Sequence, residues 1–250
     1  MTKNTSTTIR VSDLSRDQLT YCIYEEVPVA IFINGRHATT VLLTPGDPGA
    51  YVCGYLFTEQ FIKKPDEIES VRVEKNRVSV ITTNIFTSPG PKKTILSGCG
   101  GAVSYIDETK LPHITSDLSF ELSSVITTIQ RISSEKKEDC EGDLFSAHLC
   151  SGEDIVASLS DIGPDQVMDR LIGTAITGKI PFSDAYCIFS GCITSETVRK
   201  CLIAQIPLII TTGRITGLAL DIAEKTGLSI LLYTGAEIVL CAHPERVVQP

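Results

Sequence analysis

The stretch AYCIFSGCITSETVRKCLIAQIPLIITTGRITGLALDIAEKTGLSILLY, residues 185–233, decides the fold. Three short apolar runs in it, Ala185–Ser190, Pro207–Thr212 and Leu228–Tyr233, are bounded by turn residues and read as buried strands. Two helical segments separate them. The first is capped by Thr194 and carries Val198, Cys201 and Leu202; the second runs from Ile215 to Thr226 and is closed by Gly227. The order βαβαβ with short links implies parallel strands and right-handed crossovers. In such sheets ligands collect beyond the C-terminal strand ends. Three loops fall there: Ser190-Gly191-Cys192, Thr211-Thr212-Gly213-Arg214 and Thr234-Gly235.

Working upstream, Phe145–Cys150 and Ile155–Leu159 read as strands joined at Ser151-Gly152. Pro164 suits the first turn of a helix whose apolar face is Met168, Leu171, Ile172 and Ala175. Leu118, Leu122, Val125, Ile126, Ile129 and Ile132 recur at spacings of three and four, which predicts an amphipathic helix capped by Ser116 or Asp117 and ended by the polar stretch Ser133–Asp139. The first half reads mainly as strands. Val27–Asn34 and Arg36–Leu43 make a hairpin around Asn34-Gly35, and Val71–Val73 with Arg77–Thr83 make another. Ala50–Ile62 reads as a helix. The expected fold class is α/β (α+β overall). A strand-rich N-terminal subdomain spans 1–112 and ends in a loop around Cys99; an α/β subdomain with the parallel βαβαβ run spans 113–250.

Composition narrows the function classes. The chain has 250 residues, 42% of them hydrophobic, and a formal net charge of −8. That apolar content supports a sizeable core. The acidic balance argues against general nucleic-acid binding, which needs a basic footprint. No apolar run reaches the roughly 20 residues of a membrane helix. Met1–Arg16 lacks the apolar centre of a signal peptide, so a cytoplasmic location is expected.

Nine cysteines occur, at 22, 53, 99, 140, 150, 187, 192, 201 and 241, with no C-x-x-C spacing. Most sit in apolar surroundings and read as small core residues. Cys99 differs. In Ser97-Gly98-Cys99-Gly100-Gly101 three glycines surround one sulfur and leave it unshielded. Successive backbone N–H groups there could stabilise a thiolate. A persulfide carrier needs such a thiol, although an incidental cysteine in a surface loop is an equal reading of the local sequence. Thr211–Arg214 leads into a helix N-terminus, and Arg214 adds a full charge, which together suit a phosphate; a solvated arginine in an ordinary turn is the simpler alternative. Gly191 permits close approach of a ligand, or Cys192 beside it is simply a core residue. The four histidines, His37, His113, His148 and His243, show no metal-ligand spacing.

Several segments, in order, resemble one family. Glu26-Val27-Pro28, Asn34-Gly35, Thr44-Pro45-Gly46-Asp47 and Gly54-Tyr55-Leu56-Phe57-Thr58-Glu59 are similar to the N-terminal signature of the FdhD/NarQ family, the formate dehydrogenase accessory sulfurtransferases. Ser97-Gly98-Cys99-Gly100 sits where that family has its S-x-C-G-x-C-G loop. Asp161-Ile162-Gly163, Asp169-Arg170 and Gly173 match the frame of E-D-V-G-R-H-N-x-x-D-K. Ser190-Gly191 with Glu196 and Lys200 matches S-G-R and its helix, Thr216 with Leu218-Ala219 matches S-A-P-T-x-L-A, and His243-Pro244-Glu245-Arg246 resembles the ending. The departures are specific too. The second loop cysteine falls at Ala102, Arg-His-Asn at Pro164-Asp165-Gln166, the preceding Glu at Ser160, the Arg of S-G-R at Cys192, and Ala-Pro at Arg214-Ile215.

The resemblance implies a cytidine-deaminase-like three-layer α/β/α part, without the zinc signature of the deaminases and hence without zinc or deamination. It implies sulfur transfer from a cysteine desulfurase, through a Cys99 persulfide, to the molybdenum or tungsten bis-guanine-dinucleotide cofactor of formate dehydrogenase, by a homodimer. Ser190, Gly191, Thr212, Gly213, Arg214 and Thr216 are the expected cofactor-binding residues, with a guanine nucleotide as surrogate ligand. Two other readings stay open: a cofactor-binding chaperone that no longer transfers sulfur, and a relative that binds another phosphate-bearing ligand.

Overall fold

The structure is a computed structural model. It describes residues 4–11, 16–84, 94–95, 102–103, 111–135 and 144–249, with side chains described over 23–84, 111–134 and 144–249. Two strands, β1 (Asn4–Val11) and β2 (Arg16–Ile23), which were not anticipated from the sequence, pair antiparallel at the N-terminus, although Leu19, Tyr21 and Ile23 alternate along β2.

Next comes a four-stranded sheet in the order β4-β3-β6-β5, built from β3 (Val27–Ile33), β4 (Arg36–Leu43), β5 (Ile68–Glu74) and β6 (Arg77–Thr82). Both expected hairpins form, and Asn34 and Gly35 take the left-handed backbone that a tight turn demands (φ 51° and 79°). The two hairpins join through β3 and β6, which run parallel. Such a pairing needs a crossover. The helix α1 (Pro48–Thr58) lies within it, capped by the Asp47 carboxylate, which accepts the Gly49 N–H at 2.8 Å. This helix ends at Thr58 rather than Ile62, and Gln60 turns into the left-handed region just beyond. Tyr51, Val52, Cys53, Gly54, Tyr55 and Leu56 are all buried, so α1 is wrapped on every side rather than amphipathic.

The C-terminal half is built on a six-stranded sheet in the order β11-β10-β12-β13-β14-β15. Its members are β10 (Phe145–Ser151), β11 (Asp154–Asp161), β12 (Tyr186–Phe189), β13 (Leu208–Thr211), β14 (Ser229–Tyr233) and β15 (Ile238–Ala242). β12, β13 and β14 are parallel, as the βαβαβ reading requires; β11, β10 and β15 are antiparallel additions. On one face, α3 (Pro164–Thr177), α4 (Ser195–Ala204) and α5 (Gly217–Thr226) bury Leu171, Val198, Leu202 and Ile222 against Leu149, Phe189, Ile209 and Ile230. On the other, α2 (Leu122–Glu135) packs Val125, Ile129 and Ile132 on Tyr186, Ile188 and Ile210. The α/β fold class and its three layers follow from these two opposed cores.

Three helix starts differ from expectation, and α1, which begins at Pro48 rather than Ala50, is the first. The α2 helix begins at Leu122, not after Ser116 or Asp117. Phe120 and Glu121 form β9, which pairs with β16 (Val247–Val248), and the Arg246 guanidinium donates to the carbonyls of Ser116 and Leu118. Tertiary bonds thus hold extended a segment whose spacing alone reads as helix. Similarly, α5 begins at Gly217 because Thr216 is its cap and Ile215 forms a parallel bridge with Ile193. Two short strands remain, β7 (Thr94–Ile95) and β8 (Ala102–Val103), which pair antiparallel. Cys99 falls in the segment between them and lies outside the described residues.

Candidate functional site

The first two predicted loops meet at the C-terminal ends of β12 and β13. Ser190 follows β12 and is locked to β10: its N–H donates to the Ser146 carbonyl at 2.9 Å, and its hydroxyl oxygen accepts the Ser146 N–H at 2.8 Å. The Thr211 hydroxyl donates to the Gly191 carbonyl at 2.7 Å and accepts the Gly213 N–H at 2.8 Å. A Cβ on Gly213 would lie 2.7 Å from the Gly191 oxygen, and one on Gly191 would lie 2.4 Å from the Phe189 ring. Gly213 is therefore needed for loop to stack on loop, and Gly191 for its turn to clear the Phe189 ring, whatever else approaches them. Ile193 N–H donates to the Arg214 carbonyl and Thr216 N–H to that of Ile193, which ties the second loop to the first. Ser190, Gly191, Thr212, Gly213, Arg214 and Thr216 thus come together at one end of the sheet.

Within that group the chemistry divides. The Arg214 side chain is exposed at the rim. Thr216 caps α5 through the Ala219 N–H, and Thr194 caps α4 through the Thr197 N–H, so each helix start already satisfies one of its free donors. Cys192 is exposed rather than part of the core. The third loop, Thr234-Gly235, is also exposed and turns the chain into the antiparallel β15, with Thr234 accepting the Glu237 N–H.

A shallow, open groove with room for little more than a water molecule lies between α2 and the sheet. Ser190 and Thr212 line it, together with Ser146 from β10 and Ile129, Ile132 and Ser133 from α2. His148 also borders it and shares a 2.9 Å hydrogen bond with Ser158 on β11. Sequence reasoning missed Ser133, Ser146 and His148. The period-two alternation of β10 was the available signal, since it places Ser146 and His148 on one face.

The polar residues that match the family frame serve elsewhere, as a buried ionic joint. At the end of β11, Asp161 accepts the N–H and hydroxyl of Thr44 at 3.2 and 3.0 Å and pairs with Arg170 at 3.0 Å. Arg170 in turn donates to the Thr44 hydroxyl and carbonyl. One residue earlier on α3, Asp169 accepts the Thr58 hydroxyl at 2.7 Å and pairs with Lys200 of α4 at 2.6 Å. Arg199 binds Glu196, Glu59 and the Thr58 carbonyl. Burial pushes Asp169 up to about 6 against the lowering effect of Lys200, and burial likewise raises Asp161 and Asp165. The joint clamps α1 onto α3 where the two backbones touch: a Cβ on Gly54 would lie 1.8 Å from the Asp169 carbonyl oxygen, and one on Gly173 1.8 Å from that of Ala50.

Among the described cysteines, burial raises the thiols of Cys53 and Cys187, and pushes those of Cys150 and Cys201 up to about 12. These four are protonated at neutral pH and poor nucleophiles. Among the described residues no group of three or more His, Cys, Asp or Glu could hold a metal ion. No helix among them is long and apolar enough to cross a membrane.

Comparison with known proteins agrees with this architecture. The model of the FdhD/NarQ family matches residues 24–248. The sulfur carrier protein FdhD of Bacillus pumilus is 23% identical over 240 residues, covering 91% of this chain and 90% of that one. The protein of the same name from Sulfolobus acidocaldarius is 28% identical over 232 residues, covering 89% of each. A crystal structure described as a putative formate dehydrogenase accessory protein from Desulfotalea psychrophila superposes with a TM-score of 0.82 over 98% of this chain and 99% of that one, at 19% identity; that likeness is one of fold.

Proposed function

The chain belongs to the FdhD/NarQ family, and from that premise we propose that it carries sulfur on Cys99, from a cysteine desulfurase to the molybdenum bis-guanine-dinucleotide cofactor of formate dehydrogenase. The Cys99 thiolate attacks the outer sulfur of the desulfurase persulfide. A new S–S bond forms as the old one breaks, and the donor cysteine leaves as a thiolate with its electron pair, so no external oxidant or reductant is needed. In this reading the segment 1–112 presents the persulfide. The segment 113–250 holds the cargo at Ser190, Gly191, Thr212, Gly213, Arg214 and Thr216, and the working unit is a cytoplasmic homodimer.

The observation that carries the reading is the contrast among the thiols. Relatives that span nine-tenths of this chain are named sulfur carriers. Four described cysteines are buried, with thiols held protonated, whereas Cys99 stands among three glycines. Ala102, which occupies the position of the family's second loop cysteine, favours one further reading: a cofactor chaperone that binds without transferring. A complementation experiment separates the two. In a bacterium lacking its own sulfur carrier for formate dehydrogenase, the parent chain should restore the enzyme and Cys99→Ala should not. Equal rescue by both would refute the Cys99 assignment.

A further inference from the structure

Both ring nitrogens of His243 face oxygens that can only accept. Nδ1 lies 2.9 Å from the Glu245 carboxylate, and Nε2 lies 3.0 Å from the Glu224 carbonyl. A neutral imidazole carries one N–H and can satisfy only one of these acceptors; the doubly protonated ring satisfies both. The two partners favour that charge. The Glu224 carbonyl belongs to the last turn of α5, where carbonyls lack donors within the helix and the helix presents its negative end. The Glu245 carboxyl is held below its usual range, by its own backbone N–H and then by the His243 ring, so it stays an ionised acceptor. Partial burial opposes a charge on His243, but the hydrogen bonds to Glu245 and to the Glu224 carbonyl outweigh it and raise the ring above its ordinary 6.5.

The ring stands at the root of a turn that fastens distant parts of the chain. His243 takes the left-handed backbone (φ 47°), and the 3-10 turn Pro244–Arg246 and then β16 follow it. The Ser229 hydroxyl of β14 donates to the His243 carbonyl at 2.9 Å and accepts from Arg246 Nε at 3.2 Å. Arg246 also donates to the Gly227 carbonyl just beyond α5, while β16 pairs with β9. Two cationic side chains thus dock the turn on the end of α5, and the turn delivers the strand that pairs with the segment before α2. The other charged groups nearby are Glu224 and Lys225 in the last turn of α5, Glu245 beside the ring, and Asp117, which acts on Arg246 from the segment before β9. From these contacts we infer that the His243 imidazolium is a pH-sensitive latch: charged, it clasps the turn to α5 through both ring nitrogens, and on losing a proton to solvent it releases one acceptor and loosens β16 from β9. The folded state holds this proton more tightly than the unfolded chain does. The latch therefore contributes fully below 6.5 and is lost as pH rises through the raised value.

Magnetic resonance of the full chain, labelled at the histidine ring nitrogens, reads the latch directly, with His243→Gln and Glu245→Gln to assign the signal. The His243 midpoint should lie above 6.5 in the parent and drop in Glu245→Gln. Hydrogen exchange followed by mass spectrometry, corrected for the intrinsic effect of pH, reads the strand. From about pH 6 to about pH 9, protection of the peptides carrying β9 and β16 should fall by about twofold to fivefold relative to the peptide carrying β12, the scale of a partly exposed charge pair. In His243→Gln, which keeps one donor and cannot be charged, that protection should start at the lower level and stay flat with pH. A His243 midpoint at or below 6.5 would overturn the inference. So would equal protection of β9 and β16 in the parent and His243→Gln at both pH values. The midpoint of the parent, assigned through either variant, decides the question even if the other variant fails to fold.

Discussion

Lys200 Nζ lies 2.6 Å from Asp169 Oδ2, and both side chains are almost wholly buried. The pair belongs to a joint in which Glu59 from the end of α1, Asp169 and Arg170 from α3, and Glu196 and Arg199 from α4 are held together by buried ion pairs. Breaking one side of such a pair leaves a charge stranded in a medium that solvates it poorly. Lys200→Met should therefore lower unfolding stability by about 3–5 kcal/mol near pH 8. The loss should shrink toward about pH 5, where the abandoned Asp169 can take a proton. Urea melts at the two pH values read this directly; a pH-independent loss would mean that the pair is not electrostatically coupled.

The same carboxyl gives the parent a pH signature. Burial raises Asp169 from 3.8 to about 6, so the native state holds this proton more tightly than the unfolded chain does. Its stabilising contribution is complete below 3.8 and is lost as pH rises through about 6. Asp161 and Asp165, also raised, act in the same direction. Across that window the parent should lose on the order of 3 kcal/mol relative to Asp169→Asn, because each tenfold difference in proton affinity between the native and unfolded states is worth about 1.4 kcal/mol. Parallel stability profiles for the two proteins would contradict the assignment.

Among the described glycines, those where α1 meets α3 leave the least room for a side chain. Gly54→Ala would drive a methyl group to 1.8 Å from the Asp169 carbonyl oxygen, which is backbone and cannot swing aside. The helices would have to separate, opening the ionic joint beside them, at a cost of about 3 kcal/mol or more. Gly217→Ala is the control. It sits at the start of α5 with nothing within 4 Å of the new methyl, and should be neutral or stabilising by up to about 1 kcal/mol. Thermal melts of both variants decide whether helix contact, rather than glycine loss as such, sets the difference.

Much of this architecture was legible from local pattern, and the exceptions have physical causes. The runs around Ile188, Ile209 and Ile230 are buried on both faces, so their composition alone announces parallel strands. Thr194 caps α4 as its position suggests, because a cap is a local interaction. The start of α2 was not legible. Leu118 keeps the helical spacing, yet Arg246, more than a hundred residues away in sequence, holds that segment extended. The ionic joint was visible only as matches to a family pattern. Asp161, Asp169, Arg199 and Lys200 carry no local sign that they will be buried together, and Thr44, Thr58 and Glu59, the partners of Asp161, Asp169 and Arg199, come from the other half of the chain. For the candidate site, the two loops were anticipated from topology. The groove beside them was not, since it needs α2 to lie across β10 and β12.

Reactivity should order the cysteines. Brief alkylation of the native protein should modify Cys99 first, with exposed Cys192 as its rival, and should spare Cys53, Cys150, Cys187 and Cys201, whose thiols are buried and held protonated. Peptide mapping reads the order. Labelling of Cys192 ahead of Cys99 would move the carrier role to the loop after β12.

Sulfur carriage requires above all that Cys99 accept a sulfur atom from a donor persulfide. Intact mass measurement reads that event: the purified chain is incubated with a cysteine desulfurase and cysteine, weighed, and then peptide-mapped without reductant. The expected result is a gain equal to the mass of one sulfur atom, located on the peptide containing Cys99, reversed by reductant and absent in Cys99→Ala. An unchanged mass, or an added sulfur that persists in Cys99→Ala, would contradict the assignment.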